Sequence, residues 1–368
     1  MKKRLHTERA FRWSLFLRSK AIRFALGWLL LVLLAAVFAD MIAREGGWVP
    51  YGTEVTTGHG KIPPLGAHSH YLGTDPAGHD VLAGLIHGAR ISLAVGFGAV
   101  GLAAFIGILM GLLAGYWAND RLRLRRGVLI SLVPGVFCGW FYGFRMFRFA
   151  LNDAAEEGVW PFLGQVGICT VIAIAILFVW VVLGKRISRR GYLEGKVNFP
   201  MDTLIMRVIE VLNSLPLLLL IISLAAIFKG SMWLIVLVIG FTGWTGLARL
   251  IRAQTLQVKE MEYISSGRAL GLGEWRIIGQ HILPNVMPPA LIVIAFSVGN
   301  AIIAESALSF LHLVDGTITW GSLLSSTMKN FEVWWAGVFP GMAIFLTVLS
   351  FNLIGEKLRD IFDPHLSG

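Results

Sequence analysis

The sequence predicts an all-α integral membrane protein, and three observations support this class. Of its 368 residues, 56% are apolar and only 15% are charged, whereas a soluble domain carries about 25% charged residues. The mean hydropathy is +0.70. Long uncharged stretches recur at roughly the 20 residues that a membrane-spanning helix needs. The two cysteines exclude a disulfide-stapled secreted module.

Eight stretches without charged residues are candidate membrane spans. Backbone polar groups in lipid must be paired within their own segment, which favours helices, and the alternation of β-barrel strands is absent. The third stretch is the weakest, because Pro134 and Gly135 interrupt it. The predicted spans are Phe24–Ala39, Ile91–Ala118, Gly127–Phe144, Gly158–Gly184, Val211–Phe228, Gly230–Ala248, Ile282–Ala304 and Val333–Gly355.

Basic residues predict the orientation. If the N-terminus lies inside and the eight spans alternate, 25 of the 32 Lys and Arg lie on the inner side, which is a strong positive-inside asymmetry. Arg145 and Arg148 fall outside and count against this arrangement. We therefore expect an inner-membrane protein with both termini in the cytoplasm. Its net charge of +10 is assigned to topology and contact with anionic lipid, and no nucleic-acid partner is expected.

The first span is expected to be retained in the mature protein. It follows a basic arm, as a signal peptide would, but Asp40, Met41 and Ile42 stand where a small-x-small cleavage site is required.

Four histidines lie in the segment between the first two spans: His59, His68, His70 and His79. Imidazole is the commonest transition-metal ligand. These histidines form no HExxH-type pair and have no cysteine nearby, so we favour solvated turn residues and predict no metal site.

The same segment contains GTDPAGHD, which reads as a structured turn. Thr74 and Asp75 can cap backbone N–H groups, while Gly73 and Gly78 permit sharp bends.

Glycines at 107, 111 and 115 lie on one face of the second span. Small residues at this spacing let a second helix approach closely. We expect a packing face within the chain, and a dimer seam is the alternative.

A long, mostly polar stretch separates the sixth and seventh spans. Lys259–Leu270 has helical composition, and Gly271 suits the left-handed residue that ends a helix. Gly273 and Glu274 then open a second helix that runs to Pro284. Two helices joined at a glycine predict a rigid knob, residues 259–284, that can dock a cytoplasmic partner. The alternative is an ordinary inter-span loop, although such loops are usually shorter.

No catalytic constellation is present in the sequence. HExxH, GxSxG and paired carboxylates are absent, and GYLEGK at 191–196 is one residue short of a phosphate loop. We expect no enzymatic activity and no cofactor. Asp40, Glu305 and Glu356 lie at the ends of predicted spans, which argues against an ion-coupled carrier with ionisable groups at the midplane.

The knob carries a recognisable pattern: YISSGRAL at 263–270, then Gly271, then HILPN at 281–285. This resembles the EAA loop of binding-protein-dependent ABC importer permeases. YLGTDPAGHDVLAGLIHGARISL at 71–93 is similar to the GTD segment of the dipeptide/oligopeptide (and nickel) branch. ESALSFLHL at 305–313, TWGSLL at 319–324 and the final segment from Trp334 follow in the order of that branch.

The resemblance implies two sets of functional positions. The ATPase-coupling residues that it implies are Tyr263, Ser265, Ser266, Gly267, Arg268, Ala269, Leu270, Gly271, Ile282, Leu283 and Pro284. The family's outer-loop motif corresponds to Gly73, Thr74, Asp75, Gly78, Asp80, Gly88 and Arg90.

The resemblance also implies a type I (MetI-like) importer permease fold with about eight spans. Such a subunit works with a second permease, two cytoplasmic ATPases and an external solute-binding protein. The expected division is a basic arm with the first span at 1–45, an outer loop at 46–88, a permease core at 89–120 and 200–357, an inserted hairpin at 121–199, and a cytoplasmic tail at 358–368.

Three features depart from the family pattern. The EAA triplet is replaced by Ser265–Gly267, which lacks the usual carboxylate, and Gly267 costs about 1 kcal/mol of helix propensity relative to alanine. His79 occupies the position of the arginine in the GRD element. Residues 121–199 are inserted within the core, and we favour a lipid-facing packing hairpin over a docking site for an accessory subunit.

The resulting hypothesis is a permease subunit of an ATP-driven peptide importer. Nickel or another small solute is the alternative cargo. A self-sufficient channel or secondary carrier is the alternative from a different class.

Overall fold

The computed structural model describes residues 19–45, 61–65, 70–119, 122–157, 159–188, 195–216, 219–220, 223, 232–311, 317–329 and 331–362. Within these ranges the backbone is mostly helical, with one two-stranded ribbon. The helices are α1 (Lys20–Val37), α2 (Ala39–Glu45), α3 (Val81–Trp117), α4 (Arg126–Trp140), α5 (Arg148–Glu157), α6 (Val159–Ile187), α7 (Met201–Ser214), α8 (Met232–Val258), α9 (Glu262–Ala269), α10 (Glu274–Ile277), α11 (Leu283–Phe310), α12 (Trp320–Ser326) and α13 (Trp335–Phe362). The ribbon strands are β1 (Arg123–Arg125) and β2 (Lys196–Asn198).

Seven helices in the described ranges are long and apolar enough to cross a membrane. They coincide with seven of the predicted spans, and the predicted all-α membrane fold is confirmed. Half of the remaining predicted span, Val211–Phe228, lies outside the described residues, and its first four residues form the end of α7, which stops at Ser214. His59, His68 and the basic arm before Ser19 also lie outside the described residues.

Two predicted boundaries were wrong. Helix α3 begins at Val81 rather than Ile91, and α8 continues to Val258 rather than ending at Ala248. An uncharged stretch ends at the first charged side chain, Arg90 before the second span and Arg249 after the sixth, whereas the backbone hydrogen bonds of a helix continue past such a residue.

The chain forms two compact units, and the first consists of 1–106, 235–247 and 283–368. In this unit α1 packs against α13, where the Trp28 indole N–H donates to Thr347 Oγ1 at 3.0 Å. Glu305 is completely buried and accepts hydrogen bonds from Ser92 at 2.9 Å and Ser309 at 2.7 Å. These bonds satisfy a carboxyl group that would otherwise be costly to bury.

The second unit consists of 107–234 and 248–282. Here α3 lies directly against α8: a Cβ added at Gly111 would lie 2.7 Å from the Ala248 carbonyl oxygen, and one at Gly115 would lie 2.6 Å from Thr255 Cβ. The predicted packing face within the chain is therefore confirmed at these two glycines.

An ion pair ties α7 to α8 in the second unit. The Arg252 guanidinium donates through Nε and Nη2 to the two carboxylate oxygens of Asp202. The side chain of Asp202 is 13% exposed and that of Arg252 is 30% exposed. A two-point contact of this kind fixes the orientation of both helices more strongly than a single charge contact would.

Residues 121–199, the predicted insert, also belong to the second unit. Their ends are joined by the ribbon, in which Arg123 is paired with Asn198 and Arg125 with Lys196. Helices α4 and α6 pack through small residues, since a Cβ at Gly135 would lie only 2.9 Å from Trp180 Cβ. Close backbone approach is a main source of helix association in lipid.

We expect the insert to be removable. In the shortened chain, residues 124–197 are replaced by two glycines. Arg123 and Asn198 are already neighbours in the ribbon, so two glycines can join them. The remaining chain should therefore fold with an unchanged melting temperature in detergent. Thermal unfolding of the shortened and the undeleted chain, followed by circular dichroism, compares their melting temperatures. Loss of folded protein from the shortened chain would contradict the expectation.

We expect Asp202→Asn to destabilise the protein by about 1.5–3 kcal/mol, because it weakens hydrogen bonds to an ionised group. Glu210→Gln is the matched control on the same helix. Glu210 pairs with Arg207 at 2.6 Å, but both side chains are more than half exposed, and exposed pairs contribute less than about 1 kcal/mol. Equal melting temperatures for the two variants would show that the buried pair has no special role.

Candidate functional site

The knob has the helix–glycine–helix structure that the sequence predicts. Helix α9 ends at Ala269, Gly271 has a φ of 80°, and Gly273 is extended immediately before α10. The first helix begins at Glu262 rather than at Lys259, because Met261 is extended and interrupts the path from α8.

The turn at Gly271 is a Schellman motif. The Leu272 N–H donates to the Gly267 carbonyl at 3.1 Å, and the Gly271 N–H donates to the Arg268 carbonyl at 2.9 Å. Glycine is favoured at the left-handed position because a Cβ there meets the neighbouring carbonyl. Two hydrogen bonds and this backbone conformation therefore set the angle between the two helices of the knob.

The knob exposes apolar side chains at its tip and buries others at its base. Leu270 is 83% exposed and Trp275 is 69% exposed. In contrast, Ile264, Ile277 and Ile282 are at most 1% exposed. Large apolar side chains presented to solvent on a rigid support mark an interaction surface.

The predicted coupling residues fall into exposed and buried groups. Those exposed are Tyr263, Ser265, Ser266, Ala269, Leu270, Gly271 and Pro284, whereas Gly267 and Ile282 are buried and Arg268 and Leu283 are intermediate. A Cβ at Gly267 would lie 3.3 Å from Leu272 Cδ1. The Ser-Ser-Gly triplet thus presents two hydroxyl groups and turns its glycine inward.

The second arm of the knob does not end at Pro284, so that predicted boundary was wrong. A π-helical segment, Ile278–Ile282, connects α10 directly to α11, and the helical path from Glu274 to Phe310 is continuous. Proline lacks an N–H and clashes with the preceding turn of an α-helix. The wider π-helical turn immediately before Pro284 accommodates both effects.

Sequence reasoning missed the residues that attach the knob to α3. The Tyr116 hydroxyl donates to a carboxylate oxygen of Glu274, and the rings of Trp117 and Trp275 meet edge to face with centroids 5.3 Å apart. Arg268 lies over the Tyr116 ring. The only signal was the adjacent Tyr–Trp pair at the end of the second span, which identifies no partner.

The outer-loop motif forms a locked turn in the first unit. Thr74 is completely buried: its backbone N–H and carbonyl bond to Ile62 and to the Trp335 indole, at 3.0 and 2.9 Å. A Cβ at Gly73 would lie 2.6 Å from the Ile62 carbonyl oxygen. Asp75 Oδ1 accepts hydrogen bonds from the Ala77 and His79 N–H groups, which confirms the predicted capping role.

Two histidines of this segment pair with its aspartates. His79 Nδ1 lies 3.1 Å from Asp75 Oδ2, and His70 Nδ1 lies 2.7 Å from Asp80 Oδ2. The prediction that these histidines are solvated was wrong for this pair, since their side chains are only 17–18% exposed. His79, at the position of the family's arginine, supports the turn through Asp75.

The remaining motif residues bind the start of α3 to its surroundings. Asp80 Oδ1 caps the helix by accepting from the Ala83 N–H at 2.9 Å. The Arg90 guanidinium pairs with Asp40 at 3.0 Å. Gly88 lies against Trp320, whose Cδ1 would be 3.0 Å from an added Cβ. Gly78, with a φ of 90°, closes the turn.

An ion pair joins the start of the described outer segment, at Lys61, to the residues just before α13, at Glu332. Lys61 Nζ lies 2.7 Å from Glu332 Oε2. This hydrogen bond lowers the pKa of the Glu332 carboxyl group below its ordinary value. The outer-loop residues therefore bond to one another and to helix ends, as a structural lock does.

Comparisons with known proteins agree with this architecture. Residues 191–368 match the family described as "Binding-protein-dependent transport system inner membrane component". The chain is 28% identical to the glutathione transport system permease protein GsiD of Pectobacterium atrosepticum, over 96% of this chain and 90% of the relative.

Two shorter matches are more similar in sequence. The oligopeptide transport system permease protein OppC of Haemophilus influenzae is 36% identical over 54% of this chain and 63% of its own length. The dipeptide transport system permease protein DppC of Bacillus subtilis is 37% identical over 48% of this chain and 55% of its own length. Residues 191–368 therefore form an inner-membrane component domain of the binding-protein-dependent transport systems, and the mostly helical fold agrees with this.

Proposed function

We propose that this chain is one permease subunit of an ATP-driven importer of di- and oligopeptides. The observation that carries the proposal is the knob, a rigid helix–turn–helix with Leu270 and Trp275 exposed at its tip. The relatives named for peptide, dipeptide and glutathione transport support the solute class. The alternative cargo within the same branch is nickel or another small solute.

The orientation follows from charge. With 25 of 32 Lys and Arg inside, the knob and both termini lie in the cytoplasm and the GTD segment lies outside. This arrangement directs the knob towards cytoplasmic ATPase subunits and the locked outer turn towards an external solute-binding protein.

The proposed assembly contains this chain, a second permease, two ATPases and a solute-binding protein. Residues 89–120 and 200–357 form the transport core, and 121–199 form a peripheral hairpin in this proposal. Hydrolysis takes place in the ATPase subunits, so this chain supplies no catalytic residue.

Coupling in this assembly is mechanical. The coupling residues from Tyr263 to Gly271 enter a cleft of one ATPase, with Leu270 buried on docking. Closure of the ATPase pair upon ATP binding displaces the knob as a rigid body. The permease pair then changes from inward-facing to outward-facing, which is a switch between two packed arrangements.

A tagged copy of the chain tests the assembly directly. Capture from membranes of the source cells should recover an ATP-hydrolysing subunit, and uptake of a labelled dipeptide into proteoliposomes should require ATP and the binding protein. Uptake by the purified chain alone, driven by a gradient and insensitive to ATP, would instead establish a channel or secondary carrier. Calorimetry of the binding protein with dipeptides and with Ni²⁺ distinguishes the two cargo classes.

We expect Leu270→Asp to reduce capture of the ATPase by at least about tenfold, because burying a leucine contributes about 1.5–3 kcal/mol. The matched control is Leu65→Asp in the outer segment, where the leucine is 84% exposed and so equally accessible. Equal capture by both variants would remove the tip of the knob from the docking surface.

We expect Gly271→Ala to lower solute-stimulated ATP hydrolysis by about fivefold, since a non-glycine residue in the left-handed region costs about 1–2 kcal/mol. Gly279→Ala is the control, because an added Cβ there meets nothing within 4 Å and its φ is not positive. If neither Gly271→Ala nor the control changes solute-stimulated ATP hydrolysis, the angle of the turn does not affect coupling.

A further inference from the structure

The side chain of Tyr116 contacts both arms of the knob. Tyr116 is completely buried in the last turn of α3. Its hydroxyl donates to Glu274, the first residue of α10, and Arg268 Cζ in α9 lies 5.7 Å from its ring centroid. One side chain of α3 therefore contacts both arms, on either side of the Gly271 turn.

The three groups reinforce one another electrostatically. A phenol that donates to a carboxylate carries more electron density on its ring, and a richer ring attracts a guanidinium more strongly. Among the residues that the structure describes, Arg268 Nε and Nη2 are buried and have no hydrogen-bond acceptor. The face of the Tyr116 ring is thus the main compensation for this part of the cation.

A second contact lies beside the first. Trp117, the last residue of α3, meets Trp275 edge to face. Helix α3 is in turn fixed against α8, where Gly115 leaves no space for a Cβ beside Thr255. The knob is therefore attached to α3 by side chains, in addition to its covalent connections to α8 and α11.

We propose that Tyr116 is a positioning residue that transmits movement of the knob to α3. The proposal rests on the proposed function, since the displacement comes from docked ATPases. The hydroxyl–carboxylate bond to Glu274 and the Arg268 stack make the arms and the end of α3 move together. Without the bond to Glu274, the ATPases still bind the tip but movement of the knob displaces α3 much less, because only the weaker ring contacts remain between them.

The test measures movement of α3 separately from binding and hydrolysis. The complete transporter is purified through a tag on this chain, with Cys138→Ser to remove the partly exposed thiol and Leu109→Cys to carry an environment-sensitive NBD fluorophore on α3. In the otherwise unchanged chain, ATP with vanadate should alter the emission at position 109. Tyr116→Phe and Glu274→Ala should each reduce this response by at least about fivefold, the lower range of a coupling between sites. In Tyr116→Phe, whose substituted side chain is buried in α3 outside the knob, ATPase capture and basal hydrolysis should stay unchanged.

Two variants serve as matched controls. Glu262→Ala removes an acidic residue at the same first position of α9, and Tyr142→Phe removes the hydroxyl of a tyrosine that is 51% exposed. Both should keep the full response. The double variant Tyr116→Phe/Glu274→Ala should lose no more than either single variant, because both substitutions break the same bond.

Other results would overturn the proposal in identifiable ways. A full response in Tyr116→Phe, or additive losses in the double variant, would show that this bond does not transmit movement. Loss of ATPase capture in Tyr116→Phe would assign the residue to docking. If the fluorophore emission at position 109 does not change in the transporter that keeps Tyr116 and Glu274, although the ATPases are bound and active, then α3 is not displaced. Absence of any captured ATPase would instead refute the proposed function itself.

Discussion

The scarcity of water within a bilayer constrains every polar group in the membrane-spanning part of this protein. A polar side chain there must find its partner inside the chain, because lipid offers none. Glu305 meets this constraint through serine hydroxyls, and Trp28 through Thr347. These few bonds, with close helix approach at glycines such as Gly111, hold together helices that gain little from apolar burial against an equally apolar solvent. The apolar side chains at the tip of the knob, Leu270 and Trp275, are exposed outside the predicted spans, which makes the tip a candidate for docking.

The outer segment and the knob are rigid for different reasons. In the outer segment, buried aspartates and threonine bond to backbone groups, so the turn is fixed largely by side chains. In the knob, Gly271 and two backbone hydrogen bonds set the angle, and the side chains remain available for contacts. This second design suits a proposed docking surface, because backbone hydrogen bonds set its shape and its exposed side chains can contact a partner.

Much of the fold could be predicted from the sequence, and the physical reasons are specific. Lipid imposes an apolar length on each span, and a left-handed helix end requires glycine, so the spans and the Gly271 turn have local signals. The bond between Tyr116 and Glu274 has none, since it joins residues 158 positions apart. The helical residues from Val81 to Arg90 also escaped prediction, because the charged Arg90 interrupts the uncharged stretch that marks the span. The pairing of His70 and His79 with aspartates depends on tertiary folding that turn composition does not reveal.

The ribbon-closed hairpin changes how much lipid the subunit must organise. Its second helix presents exposed Val171, Ile174 and Phe178 along its length. A helix with side chains is about 10 Å across, so if 121–199 form the proposed peripheral hairpin, its two crossings add on the order of 20 Å to the perimeter that acyl chains must cover. A larger annulus of ordered lipid follows, and a detergent micelle must be correspondingly wider to replace it. The length of the detergent tail should therefore matter more for extracting this permease than for extracting one without the hairpin.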